Sequence, residues 1–509
     1  MPNSFFQYEM MPTTWFYVSA LIILATFFKF DRFWSVRNFD LIGLILLTPG
    51  LTQLAMQDDS RGYVWLFIVG FFICIRLFID NIMLRRPLLA PNLSFSGLLL
   101  SCIALLFFIF AALIINRNDD IDTVRTVRLE QILTTRHIEK KIGINPATQT
   151  IPLEAWEDMP PGFRPFLFLT ERVNLIFVPP EKIKKEIIKG NLKNTAAAAE
   201  VRGQTAIIPV LPVETEESES KDALPLIENR PDMMVTTRTM IAPSGETAEK
   251  LLPETEIPEE PATVPVPAYS VPCFLLFAML PHLAIVLAFL FIGHSHFGSI
   301  TTGIACATLC LLHPYSSQMI GSLDHLVPAA LILWAVALYR RPLFAGLAIG
   351  TAGALVWYPF LLFPLWSGFY WHKGLYRFIS GFVLSAGAFA VLLLFSPTDW
   401  GTYYEQLLHL AGKTSLIIFS SPDGFWMRED MYYRVPIFTL YGVVCFGLFL
   451  YPANKHLATL LSCSALLMLG IQFWQLHQGG LYIAWYLPLL ILTVFRPNLD
   501  DRTARSSVM

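Results

Sequence analysis

Long apolar runs alternate with short polar turns over most of this 509-residue chain. An apolar run of about 17–25 residues predicts a helix that crosses a bilayer, because the hydrocarbon core is about 30 Å thick and a helix rises about 1.5 Å per residue. Such spans are predicted near 13–30, 39–56, 63–84, 97–116, 271–293, 297–313, 325–339, 343–357, 374–395, 435–452, 457–475 and 480–496. The pattern therefore predicts an all-α polytopic membrane protein with about 12 transmembrane helices.

A further apolar stretch at 358–371 is too short for an ordinary crossing. Pro359 and Pro364 interrupt it, and each removes a backbone N–H and breaks the ladder of helical hydrogen bonds. We predict a re-entrant half-helix here that returns the chain and supplies one more crossing.

The distribution of Lys and Arg among the short turns predicts the orientation, because basic turns favour the cytoplasmic side. Arg85-Arg86 follow the third span, Arg340-Arg341 follow the seventh, and Arg496, Arg502 and Arg505 lie in the tail. The alternate turns are acidic or neutral. We therefore predict a multi-pass protein of the cell inner (plasma) membrane, with the N-terminus outside and the C-terminus in the cytoplasm.

One long polar insert, residues 117–270, falls on the predicted outer side. Residues 117–194 mix a helical pattern (VRLEQILTTRHIEKKI) with strand-like runs (FRPFLFL), which predicts a small extracytoplasmic α/β insert. Residues 195–270 are rich in Pro, Glu and Thr and bury too little apolar surface to fold, which predicts a disordered tether. The insert would separate an N-terminal four-helix region (1–116) from a membrane core (271–496) and a cytoplasmic tail (497–509).

Composition limits the classes of partner. Only 15% of the residues are charged, 54% are hydrophobic and the net charge is −3, so membrane lipid is the expected surroundings and no nucleic acid is expected to bind. All seven cysteines lie in apolar stretches, which favours packing over a disulfide framework. Arg76 and Asp80, one turn apart in the third span, predict an intrahelical ion pair or, alternatively, a functional relay.

The predicted outer turns contain residues that suit acid–base chemistry. His313, Asp324 and His325 lie where the seventh span begins, and they predict either an acid, base or cation-binding cluster or a helix capped by Asp324. The outer loop at 396–434 contains basic groups suited to an anionic lipid head, with ordinary surface charge as the alternative: His409, Lys413, Arg428 and Arg434.

Residues 321–366 resemble the core segment of GT-C membrane glycosyltransferases, in particular the family 87 polyprenol-phosphate mannosyltransferase type. In that family a Gly-polar-x-Asp/Asn sequence opens an inward helix, and an Arg-rich turn, an Ala-Gly helix and a helix-breaking Pro follow. The residues that match this pattern are Gly321, Asp324, Arg340-Arg341, Ala345-Gly346, Gly350, Pro359 and Pro364. The final span, with HQGG at 477–480 and YIAWYLPLLIL after it, resembles the closing helix, so the likeness covers about 271–496.

The resemblance implies transfer of a sugar from a polyprenyl-phosphate donor to an extracytoplasmic acceptor, by direct displacement and without a cofactor or metal. It places the catalytic acid just after the first core helix. If the fourth span plays that part, the matching residues are Asp119, Asp120 and Asp122, of which Asp119 and Asp120 are the catalytic candidates. Asp324 is a further catalytic carboxylate, and Asp58-Asp59 are the alternative. The residues implied to bind substrate are His313, His325, His409, Lys413, Arg428, Arg434 and His477.

Two other classes of function stay open. A secondary transporter would show repeated halves and broken helices near the midplane, and the broken segment at 357–364 occurs once in this chain. A non-catalytic scaffold or sensor would instead bind a partner through the outer insert.

Overall fold

The computed structural model describes residues 12–56, 58–80, 83, 90–115, 161–163, 273–393, 403–404, 406–408, 424–427, 431–452, 455–475, 482–499 and 501–504. The chain divides into one unit of residues 1–179 and 269–509 and a second of residues 180–268, and all of the described residues belong to the first. Except for Pro161–Phe163, the predicted α/β insert and tether lie outside the described residues.

All regular structure in these ranges is helical, and none of it is strand. The α-helices are α1 Pro12–Phe27, α2 Val36–Ile45, α3 Leu47–Ala55, α4 Asp59–Asp80, α5 Phe95–Ile115, α6 Cys273–Ser295, α7 Ile300–Leu312, α8 Pro314–Gln318, α9 Leu323–Ala337, α10 Pro342–Leu355, α11 Phe363–Tyr370, α12 Leu375–Leu393, α13 Arg434–Leu450, α14 Leu457–Gly470 and α15 Ile483–Phe495. Short 3₁₀ turns include Phe30–Arg32, Pro161–Phe163, Tyr358–Leu362 and Ile471–Phe473.

Five helical stretches are long and apolar enough to cross a membrane: Val36–Ala55, Ser60–Asp80, Phe95–Ile114, Phe277–Ser295 and Leu375–Leu393. Seven shorter apolar helices of 10–17 residues accompany them. On α5 the large apolar side chains of Leu100, Phe107 and Phe108 point away from the protein, which suits contact with lipid rather than water. The chain is a helical polytopic membrane protein, as the apolar pattern predicted.

The shorter helices form the centre of the bundle. Helices α7, α9, α10 and α15 contain 13–15 residues each, which gives an axial length of about 20 Å. Every residue of α15 is buried. Because an exposed helix end in hydrocarbon would leave backbone groups without partners, these short helices require the longer ones around them.

The predicted second span is broken into α2 and α3 at Leu46. Pro49 has no N–H to donate to the Ile45 carbonyl, so the helical ladder is interrupted there. Side chains from other elements bond to carbonyls beside the break. The Trp65 Nε1–H donates to the Leu46 oxygen (2.7 Å), and the His313 Nε2 lies 3.3 Å from the Leu44 oxygen.

The predicted half-helix is a 3₁₀ turn, Tyr358–Leu362, that runs directly into α11. The Tyr370 hydroxyl, at the far end of α11, donates to the Tyr339 carbonyl just beyond the end of α9 (2.5 Å). Helix α10 starts at that same end of the bundle. The segment 358–370 therefore returns the chain across the bundle.

Glycines bring α10 and α12 into backbone contact. A Cβ added to Gly346 would collide with the carbonyl oxygen of Phe378, and one added to Gly381 would collide with that of Leu343. Small residues allow such an approach between helices in lipid, where packing rather than the hydrophobic effect drives association.

We expect Gly346→Val to destabilise the protein by about 1–3 kcal/mol or more, because the α10 and α12 backbones must separate to admit the side chain. Gly387→Val on α12 is the matched control, since nothing lies within 4 Å of a Cβ added there. Thermal unfolding of the purified protein in a mild detergent measures both. Equal melting temperatures for the two variants would contradict this packing.

A network of buried charges joins α2, α4 and the residue after α15. Arg76 donates through Nε and Nη2 to both Asp40 oxygens (2.5 and 2.8 Å) and through Nη1 to Asp80 (3.0 Å). Arg496 donates through Nη2 to the other Asp80 oxygen (2.8 Å). The predicted intrahelical pair of Arg76 and Asp80 is confirmed, but it is one link of a chain of four residues.

Removing Asp80 should cost about 3–5 kcal/mol of stability, because a half-buried guanidinium (Arg76) and a buried one (Arg496) lose their shared, fully buried carboxylate. We therefore expect Asp80→Ala to lower the melting temperature sharply. Asp501→Ala is the control, since Asp501 is exposed and lies 3.5 Å from Arg502 at the surface, and it should change little. Similar losses in the two variants would show that the network does not stabilise the bundle.

Candidate functional site

Two longer helices, α5 and α6, extend beyond the connection between α7 and α9. The connection passes α6 at His282, whose Nε2 lies 3.1 Å from the Ile320 oxygen, and α6 continues about 14 Å beyond that point to Cys273. Helix α5 runs parallel to α7, since Thr308 contacts the Leu98 carbonyl and Cys310, farther along α7, lies near Cys102, farther along α5. It extends about 20 Å beyond the end of α7. We call residues 313–325, together with the beginning of α15, the recess.

His313 holds the floor of the recess in place. It is the N-cap of α8, where its Nδ1 accepts from the Tyr315 N–H (3.3 Å), while its Nε2 contacts the Leu44 oxygen. Both ring nitrogens are engaged, and binding a substrate would require breaking one of these bonds.

Three side chains form a chain from the interior to the surface of the recess. The Tyr315 hydroxyl lies 2.7 Å from the His325 Nδ1, and the His325 Nε2 lies 3.6 Å from an Asp324 oxygen. Tyr315 and His325 are buried, whereas 40% of the Asp324 side chain is exposed. Asp324 is therefore the member of the chain that a ligand reaches first.

The direction of the hydrogen bond between Tyr315 and His325 follows from the burial of Tyr315. Burial raises the pKa of Tyr315 well above its ordinary value, so the phenol keeps its proton. If the Tyr315 hydroxyl donates to the His325 Nδ1, the His325 Nε2–H faces Asp324. The arrangement can orient the carboxylate and support its negative charge.

Aromatic rings surround His325. Its ring stacks on Tyr482 with centroids 5.4 Å apart, and Tyr482 stacks on Trp485 at 4.4 Å. Tyr358 packs against Trp485 and Trp474. We call these residues, with Trp357, the aromatic cluster. Aromatic faces offer both apolar contact and directional packing, so the cluster fixes the ring plane of His325.

Arg434 adjoins the other side of this cluster. It is the first residue of α13, it is buried, and its Nε donates to the Trp474 oxygen (2.6 Å). Asp324 contacts the His325 side of the cluster and Arg434 the Trp474 side. One acidic and one basic group thus flank the same group of rings.

A small part of the insert packs beside the site. A Cβ on Gly162 would collide with the carbonyl oxygen of Ala354, and Phe163 is buried. Since α10 ends at Leu355 and Trp357 follows it closely, Pro161–Phe163 contact the bundle next to the aromatic cluster.

The cavity beside Tyr315 is too small for a sugar. Its volume is about 20 Å³, room for about one water molecule, and its lining is mainly apolar, with His282, Met319 and Ala484 among the residues. A larger ligand would have to approach Asp324 from the open side of the recess.

The structure places four of the site residues that the sequence singled out. Asp324, His325 and His313 lie together in the recess, and Arg434 lies at the aromatic cluster. Ser322 is the N-cap of α9, so Asp324 does not cap this helix, but it is the second helical residue and its charge lies in the first turn, at the positive end of the helix dipole. The residues that lie outside the described part of the chain are Asp119, Asp120, His409, Lys413, Arg428 and His477.

No protein-family model, curated protein or solved structure matches this chain. Its function therefore has to be inferred from the recess itself. Among the residues that the structure describes, no group of three or more His, Cys, Asp or Glu side chains is placed to hold a metal ion.

Sequence reasoning missed the partners of His325. Tyr315 was visible in the same turn, but nothing in its spacing indicated that its hydroxyl would meet an imidazole ten residues later. Tyr482 and Trp485 belong to the apolar run YIAWY, where aromatic residues are ordinary.

Proposed function

We propose that this chain is a membrane glycosyltransferase that moves a sugar from a polyprenyl-phosphate donor to an extracytoplasmic acceptor, with Asp324 as the catalytic base. The observation that carries the proposal is the chain from Asp324 through His325 to Tyr315 in the recess. A half-exposed carboxylate supported by a buried imidazole suits removal of a proton from a hydroxyl group.

The reaction needs one proton transfer and one displacement. Asp324 accepts the proton of the acceptor hydroxyl as the acceptor oxygen forms its bond to the anomeric carbon. The bond between that carbon and the phosphate oxygen breaks, and the polyprenyl phosphate leaves with the bonding electrons. His325 is a positioning residue that orients Asp324, and Tyr315 sets the orientation and tautomer of His325.

The depth of the recess suits a lipid-linked donor. Helix α5 flanks it, and the outward face of α5 carries large exposed apolar side chains such as Phe107 and Phe108, so a polyprenyl chain in the bilayer can approach beside it. The negative phosphate requires basic partners. Arg434 adjoins the aromatic cluster and supplies one such partner.

We expect Asp324→Asn to lower sugar transfer from polyprenyl-phosphate donors about 100-fold or more, the range for loss of a general base. Tyr315→Phe should lower kcat about fivefold, the equivalent of one hydrogen bond of about 1 kcal/mol. Purified protein in proteoliposomes, assayed with radiolabelled donors, measures both.

Asp58→Asn is the matched control, because Asp58 lies in the turn before α4 with 38% of its side chain exposed and is the alternative acid in the sequence. It should leave transfer unchanged. Loss of transfer in Asp58→Asn with full activity in Asp324→Asn would refute the role given to Asp324.

A secondary transporter is the alternative that the same recess favours, because a buried chain of titratable groups also suits proton-coupled binding. Proteoliposomes distinguish the two functions. A transporter would accumulate substrate when a proton gradient is imposed and would transfer no sugar with any donor. A scaffold would do neither, and all of these substitutions would be silent.

We further infer twelve membrane spans plus the return at 358–370 in the cell inner membrane, with the N-terminus and the insert outside and the C-terminus in the cytoplasm. The positive-inside pattern supports this orientation. It places the recess on the outer side, where the acceptor would lie, and the Arg340-Arg341 turn in the cytoplasm.

Thiol labelling of intact cells tests the orientation. Ser220→Cys should react with a membrane-impermeant maleimide, and Arg341→Cys, at an exposed position, should react only after the membrane is permeabilised. The six cysteines whose side chains the structure describes are buried or half-buried, and labelling of the protein without either substitution measures the background, including that from Cys273. Labelling of position 341 but not 220 in intact cells would invert the orientation and exclude an outward recess.

A further inference from the structure

A second charged site lies at the opposite end of the bundle, where α1 turns into α2. Asn38 fixes this turn: its Nδ2 donates to the carbonyl oxygens of Lys29 and Arg32, and its Oδ1 accepts from the Lys29 N–H. Asn92 fixes it from outside by bonding to the Lys29 ammonium and to the Phe28 oxygen. These hydrogen bonds from Asn38 and Asn92 hold the turn in one defined conformation.

The outer surface of the turn is aromatic. Ring contacts run from Phe30 through Phe28 to Phe33, Trp34 and Phe39. Trp34 is 80% exposed and Phe30 75% exposed. Exposed aromatic residues next to Lys and Arg are typical of the membrane–water interface, so the turn lies at the depth of the lipid head groups.

Arg37 lies inside this turn with unmet hydrogen-bonding capacity. It is 93% buried, and its Nε and Nη2 are buried without a hydrogen-bond partner in the part of the chain that the structure describes. Its nearest carboxylate, Asp40, already gives both oxygens to Arg76. Buried donors without partners are costly, so this arrangement calls for an acceptor.

The charges around Arg37 favour an anion. Among the residues that the structure describes, three arginines, Arg37, Arg76 and Arg496, lie near two aspartates, Asp40 and Asp80. Outside the turn, Asp31 is exposed and lies beside Arg32.

We propose that Arg37 binds a phosphate group at this turn, supplied by the head group of an anionic membrane lipid. The planar guanidinium can donate two parallel hydrogen bonds to phosphate oxygens. The exposed aromatic rings would pack against the upper acyl chains of the same lipid. The site is independent of the recess and of the reaction proposed there.

The test uses the full-length protein in a neutral maltoside detergent, with native mass spectrometry and thermal unfolding as readouts. The probes are phosphatidylglycerol and inorganic phosphate, which separate a lipid source from a soluble one. We expect the wild type to bind phosphatidylglycerol about tenfold more tightly than Arg37→Met, equivalent to about 1.4 kcal/mol. Stabilisation by inorganic phosphate alone would assign the same phosphate site to a soluble compound.

Two further variants keep the test decisive. Arg37→Lys retains the charge without the fork of donors and should lose part of the affinity. Arg377→Gln removes an exposed arginine near the start of α12 and should bind like the wild type. Without ligand, Arg37→Met should melt no lower than the wild type, because an unmatched buried charge is removed.

The proposal is overturned if neither probe distinguishes the wild type from Arg37→Met, or if Arg377→Gln loses as much affinity as Arg37→Met. If Arg37→Met fails to fold, the comparison of Arg37→Lys with the wild type decides in the same way. Equal affinity of those two proteins for both probes would then refute the site.

Discussion

The pairing of backbone polar groups in a medium without water is the constraint on which this structure depends. Helices of 13–15 residues, such as α7, α9 and α15, are about 20 Å long and do not span a hydrocarbon core of about 30 Å. Their terminal carbonyls and amides must therefore find partners in protein. The longer α5 and α6 provide the shielding, and their excess length creates the recess.

The same constraint explains which polar side chains are buried. His313 caps α8 and meets a carbonyl beside the broken α2–α3 span, His282 meets the Ile320 carbonyl, and Trp65 meets the Leu46 carbonyl. Each of these residues bonds to backbone groups that a continuous helix would have paired internally. The main role of these buried polar side chains is therefore to form hydrogen bonds with the backbone. What sets Asp324 apart is that its carboxylate is half-exposed and faces another side chain.

The two ends of the bundle use charge in different ways. At the α1–α2 end, Asp40, Arg76, Asp80 and Arg496 bind one another and fasten helices that are distant in sequence. In the recess, Asp324 remains open to a ligand while His325 and Tyr315 support it from behind. A closed ion-pair network stabilises, whereas an open acid with an ordered partner can react. Arg37 lies between these cases, because it adjoins this network while its Nε and Nη2 have no hydrogen-bond partner among the described residues.

The amino-acid sequence by itself determined which segments are apolar helices and where most of them begin and end. It also determined the return at Pro359 and Pro364 and the pairing of Arg76 with Asp80. These features are local, because they follow from runs of side chains, from missing N–H groups and from one turn of helix. The break at Leu46 was also readable from Pro49, although hydropathy alone predicted one continuous span.

Only the tertiary structure decided which polar residues meet. Asp80 pairs with Arg496 across 416 positions of sequence, and His325 stacks on Tyr482. Both contacts form because α15, the last helix, packs against helices from earlier in the chain, such as α7 and α9. Apolar helices of similar composition carry no signal that specifies their neighbours. Helix packing in lipid is set by shape and small residues, and the recess, its aromatic cluster and the unmatched Arg37 all follow from that packing.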